Sequence, residues 1–184
     1  MFKIRYKPNI GDEALKSVTL DDFIDEMGGE ITGHILLEFN GSTVGFYDED
    51  LDLDMFEEML VCWFDLLNET AKLLLEHDQV ALKLIENPSE WILFEKNGVN
   101  LSVSFVERSE LSRIENYTST EKFNNVDKYI WRGEKISLEQ FRREVVQVTD
   151  DFIEYVRDCN ASLLSSPTFH SLLELFYINK TALK

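Results

Sequence analysis

Two Asn-Gly dipeptides, Asn40-Gly41 and Asn97-Gly98, each stand between apolar runs, and no other local feature constrains the fold of this chain as strongly. Asn-Gly readily takes the positive φ angles of a two-residue hairpin turn, so the flanking segments are expected to pair as antiparallel strands. The first pair is 31–39 with 43–47. The second is 91–96 with 99–107, where Val99, Leu101, Val103 and Phe105 alternate with Asn100, Ser102 and Ser104, the pattern of a strand with one buried face. Residues 80–85 read as a further strand joined to the second pair through Asn87-Pro88-Ser89. Residues 2–6 alternate up to Pro8, and 128–131 suit a short edge strand.

Helical signals fall between these runs. Thr19, with Asp22 three residues on, opens a short helix that ends at Gly28-Gly29. Met55, Phe56, Met59, Leu60, Trp63, Leu66 and Leu67 recur at three- and four-residue spacing and predict a long helix over about 53–76. Its centre is apolar nearly all round, which demands burial on more than one side. Ser137 and Gln140 form a capping box for a second long helix reaching about residue 160, and Ser166-Pro167 opens a last one. The polar stretch 108–126 is expected to be a long flexible loop. The expectation is therefore one α+β domain over 1–184. It has an antiparallel sheet or sheets of about five to seven strands, one long central helix and two C-terminal helices. Thirteen phenylalanines, three tryptophans and a 44% hydrophobic content can fill its core and exclude a wholly disordered chain.

Charge is distributed unevenly along this framework. From Ser17 to Ala71 there is no lysine or arginine, yet there are fifteen aspartates and glutamates. Residues 1–92 carry 21 acidic and 6 basic side chains, residues 93–184 carry 14 and 12, and the net charge is −17. Like charge at this density repels itself and attracts basic partners. It disfavours nucleic acid as a ligand, since phosphate binding calls for a basic face.

The densest part, Asp48 to Asp54 followed by Glu57 and Glu58, superficially has the odd-position spacing of a calcium loop. Counting from Asp48, however, the sixth position is Leu53 instead of glycine and the twelfth is Met59 instead of glutamate. Some of these carboxylates are explained by the start of the predicted helix, where its dipole favours negative charge. The remaining excess suits a surface for a basic protein, with Tyr47 and Phe56 as apolar anchors. The expected partner-binding residues are Tyr47, Asp48, Glu49, Asp50, Asp52, Asp54, Phe56, Glu57 and Glu58, with Asp21, Asp22, Asp25 and Glu26 beside them.

Catalytic motifs do not stand out. His34, His77 and His170 are scattered, with no H-x-x-x-H or H-E-x-x-H pair, and the glycines fit no phosphate-binding loop. No catalytic residue, cofactor or metal ligand is expected. Cys62 and Cys159 sit in apolar helical patterns and read as free thiols. The N-terminal Met-Phe-Lys-Ile-Arg leads into no apolar signal core, and the longest apolar run is the six residues 59–64, against the ~20 that span a bilayer. A cytoplasmic protein with no membrane partner is the expectation. A small, cysteine-poor, acidic α+β domain without catalytic motifs has the profile of bacterial immunity proteins and antitoxins that neutralise basic, nuclease-type toxins, a likeness of class alone. The alternatives are a divalent-metal-binding or regulatory domain using the same acidic run, and an enzyme with an unrecognised carboxylate pair.

Overall fold

A computed structural model describes residues 1–49, 57–108, 116–123 and 125–184. The chain opens with β1 (Phe2–Pro8), two short helices, α1 (Asp12–Ser17) and α2 (Leu20–Asp25), then β2 (Thr32–Phe39) and β3 (Ser42–Phe46). Beyond the acidic run come β4 (Glu58–Met59), α3 (Leu60–Glu76), β5 (Gln79–Lys83), β6 (Glu90–Asn97), β7 (Asn100–Glu107) and β8 (Thr118–Ser119). The ten-residue β9 (Lys128–Ser137) runs directly into α4 (Leu138–Asn160), and a 3₁₀ turn (Ala161–Ser165) leads to α5 (Pro167–Thr181).

The class is α+β, with antiparallel pairing throughout the described strands. One sheet has the order β1-β2-β3 with β4 also paired to β2, and the other has the order β8-β5-β6-β7-β9. Asn40 and Gly41 both take positive φ (52° and 105°) between the paired Phe39 and Ser42, as a type I′ turn requires. The second hairpin is shifted by one residue from expectation. Asn97 pairs with Asn100, so the loop residues are Gly98 (φ 63°) and the exposed Val99, with glycine first as in a type II′ turn.

The two sheets meet edge to edge at β3 and β9, joined by side chains instead of a ladder. Trp131 Nε1 donates to the Thr43 carbonyl (3.3 Å), Ser42 Oγ donates to Glu134 Oε1 (3.0 Å) and Asn40 Nδ2 donates to the Lys135 carbonyl (2.7 Å). Alternation sends Ile35, Leu37 and Phe39 from one sheet, and Val80, Leu82, Ile92, Phe94, Leu101 and Val103 from the other, into one core with α3 and α4. The opposite face of the second sheet buries Trp91, Leu93 and Val106 beneath Phe123, with the Trp91 and Phe123 rings 5.2 Å apart. Part of the expected loop 108–126 thus lies over that face, while 109–115 and 124 fall outside the described residues.

α3 starts at Leu60, because Glu58 and Met59, expected in the helix, pair with Gly33 and Thr32 as a short strand, while 53–56 of that expected helix lie outside the described residues. The helix α1 had no periodic signal of its own, since Leu15 is its one buried apolar anchor. Thr19, Ser137 and Ser166 cap α2, α4 and α5 as expected, each side chain accepting from the amide three residues on.

A buried polar chain ties the three long helices together. Asn68 Nδ2 donates to Thr149 Oγ1 (2.8 Å) and to the Phe64 carbonyl (2.9 Å), while Asn179 Nδ2 donates to the Asn68 carbonyl (2.8 Å) and to Asn68 Oδ1 (3.1 Å). All three side chains are fully buried, so removing one takes a bond from its partners with no exposed surface for water to replace it. Asn68→Ala is expected to cost about 2–3 kcal/mol and Thr149→Val about 1 kcal/mol in urea unfolding, with the double variant less than additive. Losses below about 0.5 kcal/mol for both would show that the network is dispensable.

Candidate functional site

The expected partner surface is only partly within the described residues: Asp50, Asp52, Asp54 and Phe56 lie outside them. Its flanks converge on the end of β1. Lys7 Nζ donates to the Glu49 carbonyl (3.0 Å), and Asn9 Nδ2 donates to Glu57 Oε1 (2.8 Å). Glu58 accepts from Trp63 Nε1 (2.7 Å), and burial still raises its carboxyl, with Glu86 adding repulsion. Tyr47, Asp48, Glu57 and Glu58 are half-buried and Glu49 is exposed. Glu57 and Glu58 therefore serve as internal hydrogen-bond acceptors.

A second acidic surface is more open. On α2 and at its C-cap, Asp21, Asp22, Asp25 and Glu26 are all exposed, as is Ile24 at 37%. Asp22 is engaged by Thr19, whereas Asp21, Asp25 and Glu26 form no ion pair among the described residues.

Between the starts of α3 and α5 the fold assembles a cavity of about 160 Å³ lined by Glu30, Val61, Cys62, Asp65, Thr168 and Ser171. Its origin is a missing cap. Met59 at the N-cap of α3 offers no acceptor, and no acidic residue occupies the first turn. The Glu30 carboxylate, from the loop before β2, supplies the cap by accepting from the amides of Val61 (3.1 Å) and Cys62 (3.0 Å). Thr168 Oγ1 fixes the same loop by donating to the Gly29 carbonyl (2.7 Å). Gly29 has φ 71°, and a Cβ there would come within 2.7 Å of that hydroxyl, so glycine is required.

Electrostatically the cavity is unbalanced. Burial pushes the Glu30 carboxyl up to about 7, outweighing the amide bonds that favour its charge, and Asp65 adds repulsion. Burial also raises Asp65 against a hydrogen bond from Ser171, with Glu69 repelling it, and Asp65 Oδ1 is buried without a hydrogen-bond partner. Cys62 is pushed up to about 12, by burial first and then by Glu30, Asp65 and Glu58. Its thiolate fraction near neutrality is negligible, which removes it as a nucleophile. A larger trough of about 600 Å³ along the start of α4 holds groups that already answer one another: Arg143 pairs with Glu139 (2.7 Å), and Glu144 accepts from the Ile4 amide (3.0 Å).

Among the described residues no group of three or more His, Cys, Asp or Glu converges as a metal would need. His34 is fully buried against Phe46 with neither ring nitrogen hydrogen-bonded, His77 ends α3, and His170 is exposed on α5. Arg142 is 9% exposed, with Nε and Nη2 unpartnered. Among the described residues no helix is long and apolar enough to cross a membrane. No protein family model, curated protein or solved structure matches the chain.

Sequence patterns did not single out Glu30 or Asp65. Two faint signals existed: an acid in the apolar run Trp63-Phe64-Asp65-Leu66-Leu67, and a helix start at Leu60 with no capping residue before it.

The raised Glu30 value predicts a pH dependence. The folded state keeps a proton that the unfolded chain releases above its ordinary 4.5, so this contribution is complete below that value and is lost as pH rises through about 7. Glu30→Gln should leave stability at pH 5 nearly unchanged and flatten its decline between pH 5 and 8 by on the order of 2–3 kcal/mol, read by denaturant unfolding at each pH. An unaltered slope would show that other carboxyls carry it. Iodoacetamide at pH 8 should label Cys62 at least about tenfold more slowly in the folded protein than in urea, checked by mass spectrometry.

Proposed function

We propose that this protein is an acidic interaction module that docks on a basic protein, acting as an immunity protein or antitoxin that covers the cationic site of a nuclease-type toxin. One contrast carries the reading. In the C-terminal half, residues 93–184, 14 acidic side chains stand beside 12 basic ones, and Glu107, Glu139, Asp150 and Glu154 pair with Lys128, Arg143, Lys180 and Arg157. On α2 and at its C-cap, Asp21, Asp25 and Glu26 have none among the described residues, in a 55-residue stretch that contains no lysine or arginine. Such a surface is repulsive within the free protein and is relieved by a cationic partner, while the field it projects accelerates encounter.

Catalysis by a carboxyl pair is the competing reading, because Glu30 has the near-neutral value an acid–base residue needs. Size and occupancy weigh against it. The cavity of about 160 Å³ is well below the ~300–1,000 Å³ of small-molecule sites, and the Glu30 carboxylate is already held by two amides.

The test is association kinetics with a basic partner captured from the source organism's lysate and eluted by salt. The on-rate should fall at least about tenfold between roughly 50 and 500 mM salt, and an Asp21→Asn/Asp25→Asn/Glu26→Gln variant should associate more slowly with a flatter salt dependence. The protein should also stop the partner's cleavage of nucleic acid at equimolar ratio. An on-rate unchanged in the triple variant would reject docking through α2, and a partner whose nuclease activity continued in the complex would reject the immunity role.

A further inference from the structure

We propose that the cavity between the N-terminal ends of α3 and α5 receives one lysine or arginine side chain of the basic partner. The inference rests on the docking function and supplies it with a specific anchor. The polar lining is made of acceptor-bearing groups: the carboxyls of Glu30 and Asp65, the hydroxyls of Thr168 and Ser171 and the Cys62 thiol, with no lysine, arginine or histidine. The charged groups acting on these carboxyls and on Cys62 from outside, Glu58 and Glu69, are also acidic. Both helix starts have their own acceptors, since Glu30 takes the Val61 and Cys62 amides and Ser166 Oγ takes the Phe169 amide. Asp65 has a hydrogen bond from Ser171 but no cation beside it among the described residues, and its Oδ1 is a buried acceptor with no donor.

A guanidinium or ammonium group supplies what is missing: positive charge, several N–H donors, and a slim stem that a cavity of about 160 Å³ can admit. Gly28-Gly29 joins this wall to the chain segment of α2, which carries the exposed Ile24 and Asp25 and ends at Glu26. A side-chain anchor such as arginine seated in a desolvated pocket is where interface affinity concentrates.

The experiment is a titration of the ¹⁵N-labelled protein at pH 8 and constant ionic strength with n-butylguanidinium, n-butylammonium and the neutral n-butylurea. The amides of Val61 and Cys62 report directly, because they donate to Glu30. Saturable shifts with both cations at a Kd on the order of 10 mM, absent with the urea and at least about tenfold weaker in Asp65→Asn, are expected. Ser171→Lys, which tethers an ammonium at the cavity, should abolish the response and guards against a poorly folded Asp65→Asn. No saturable shift, an equal response to the urea, or full retention of binding in both variants would overturn the proposal. Retention on immobilised poly-lysine separates the two levels. Retention of the wild type without cation shifts removes the cavity and leaves the docking function, whereas shifts without retention remove the docking function and leave a cation-binding cavity.

Discussion

Four phenylalanine rings close a circuit on which the arrangement of both sheets depends. Phe2 lies 4.8 Å from Phe39 and 5.0 Å from Phe141, Phe94 lies 5.1 Å from Phe141, and Phe39 and Phe94 are 6.2 Å apart. The four come from β1, β2, β6 and α4, so the circuit joins the first sheet, the second sheet and the longest helix where no backbone ladder connects them. Each ring is fully buried, which contributes about 1.5–3 kcal/mol per side chain, and each favourable aromatic pair adds about 0.5–1.5 kcal/mol. A second group, Tyr6, Phe64 and Phe152, joins β1 to α3 and α4, and Phe169 and Phe23 extend it to α5 and α2.

That aromatic frame lets the acidic half fold despite its charge. With hydrophobic burial holding α2, α3 and α5 together, Phe23 against Phe169 brings the Gly28–Glu30 loop to the starts of α3 and α5. Glu30 is thereby forced into a half-buried position, where it satisfies two helix amides at an electrostatic cost. Repulsion is tolerated there because the cap it provides has no substitute within α3 itself. Fold stability and the unbalanced cavity are thus consequences of the same contact.

Much of the fold was legible because it is written in local signals. The hairpin at Asn40-Gly41, the capping residues Thr19, Ser137 and Ser166, and the stripe of α4 each depend on a few neighbouring residues whose preferences agree with the tertiary structure. The start of α3 was misread because apolar spacing cannot distinguish a helical turn from a two-residue strand held by a distant partner, here Thr32 and Gly33. The exposed acids of α2 could be listed from the sequence, but the structural duty of Glu57 and Glu58 could not, since Asn9 lies 48 residues from the one and the Trp63 indole must fold back on the other.

By itself the sequence determined the α+β class, antiparallel hairpins, three capped helices and an N-terminal half with a large excess of negative charge, because these follow from residue type and short-range spacing. Only the tertiary structure decided which carboxylates stay in water and which are buried. It brought Glu30, Asp65 and Ser171 to one cavity from a loop and two helices and set the two sheets edge to edge. The physical reason is that desolvation and charge–charge coupling act through space, and separations of 35 and 106 residues along the chain carry no signal of contact.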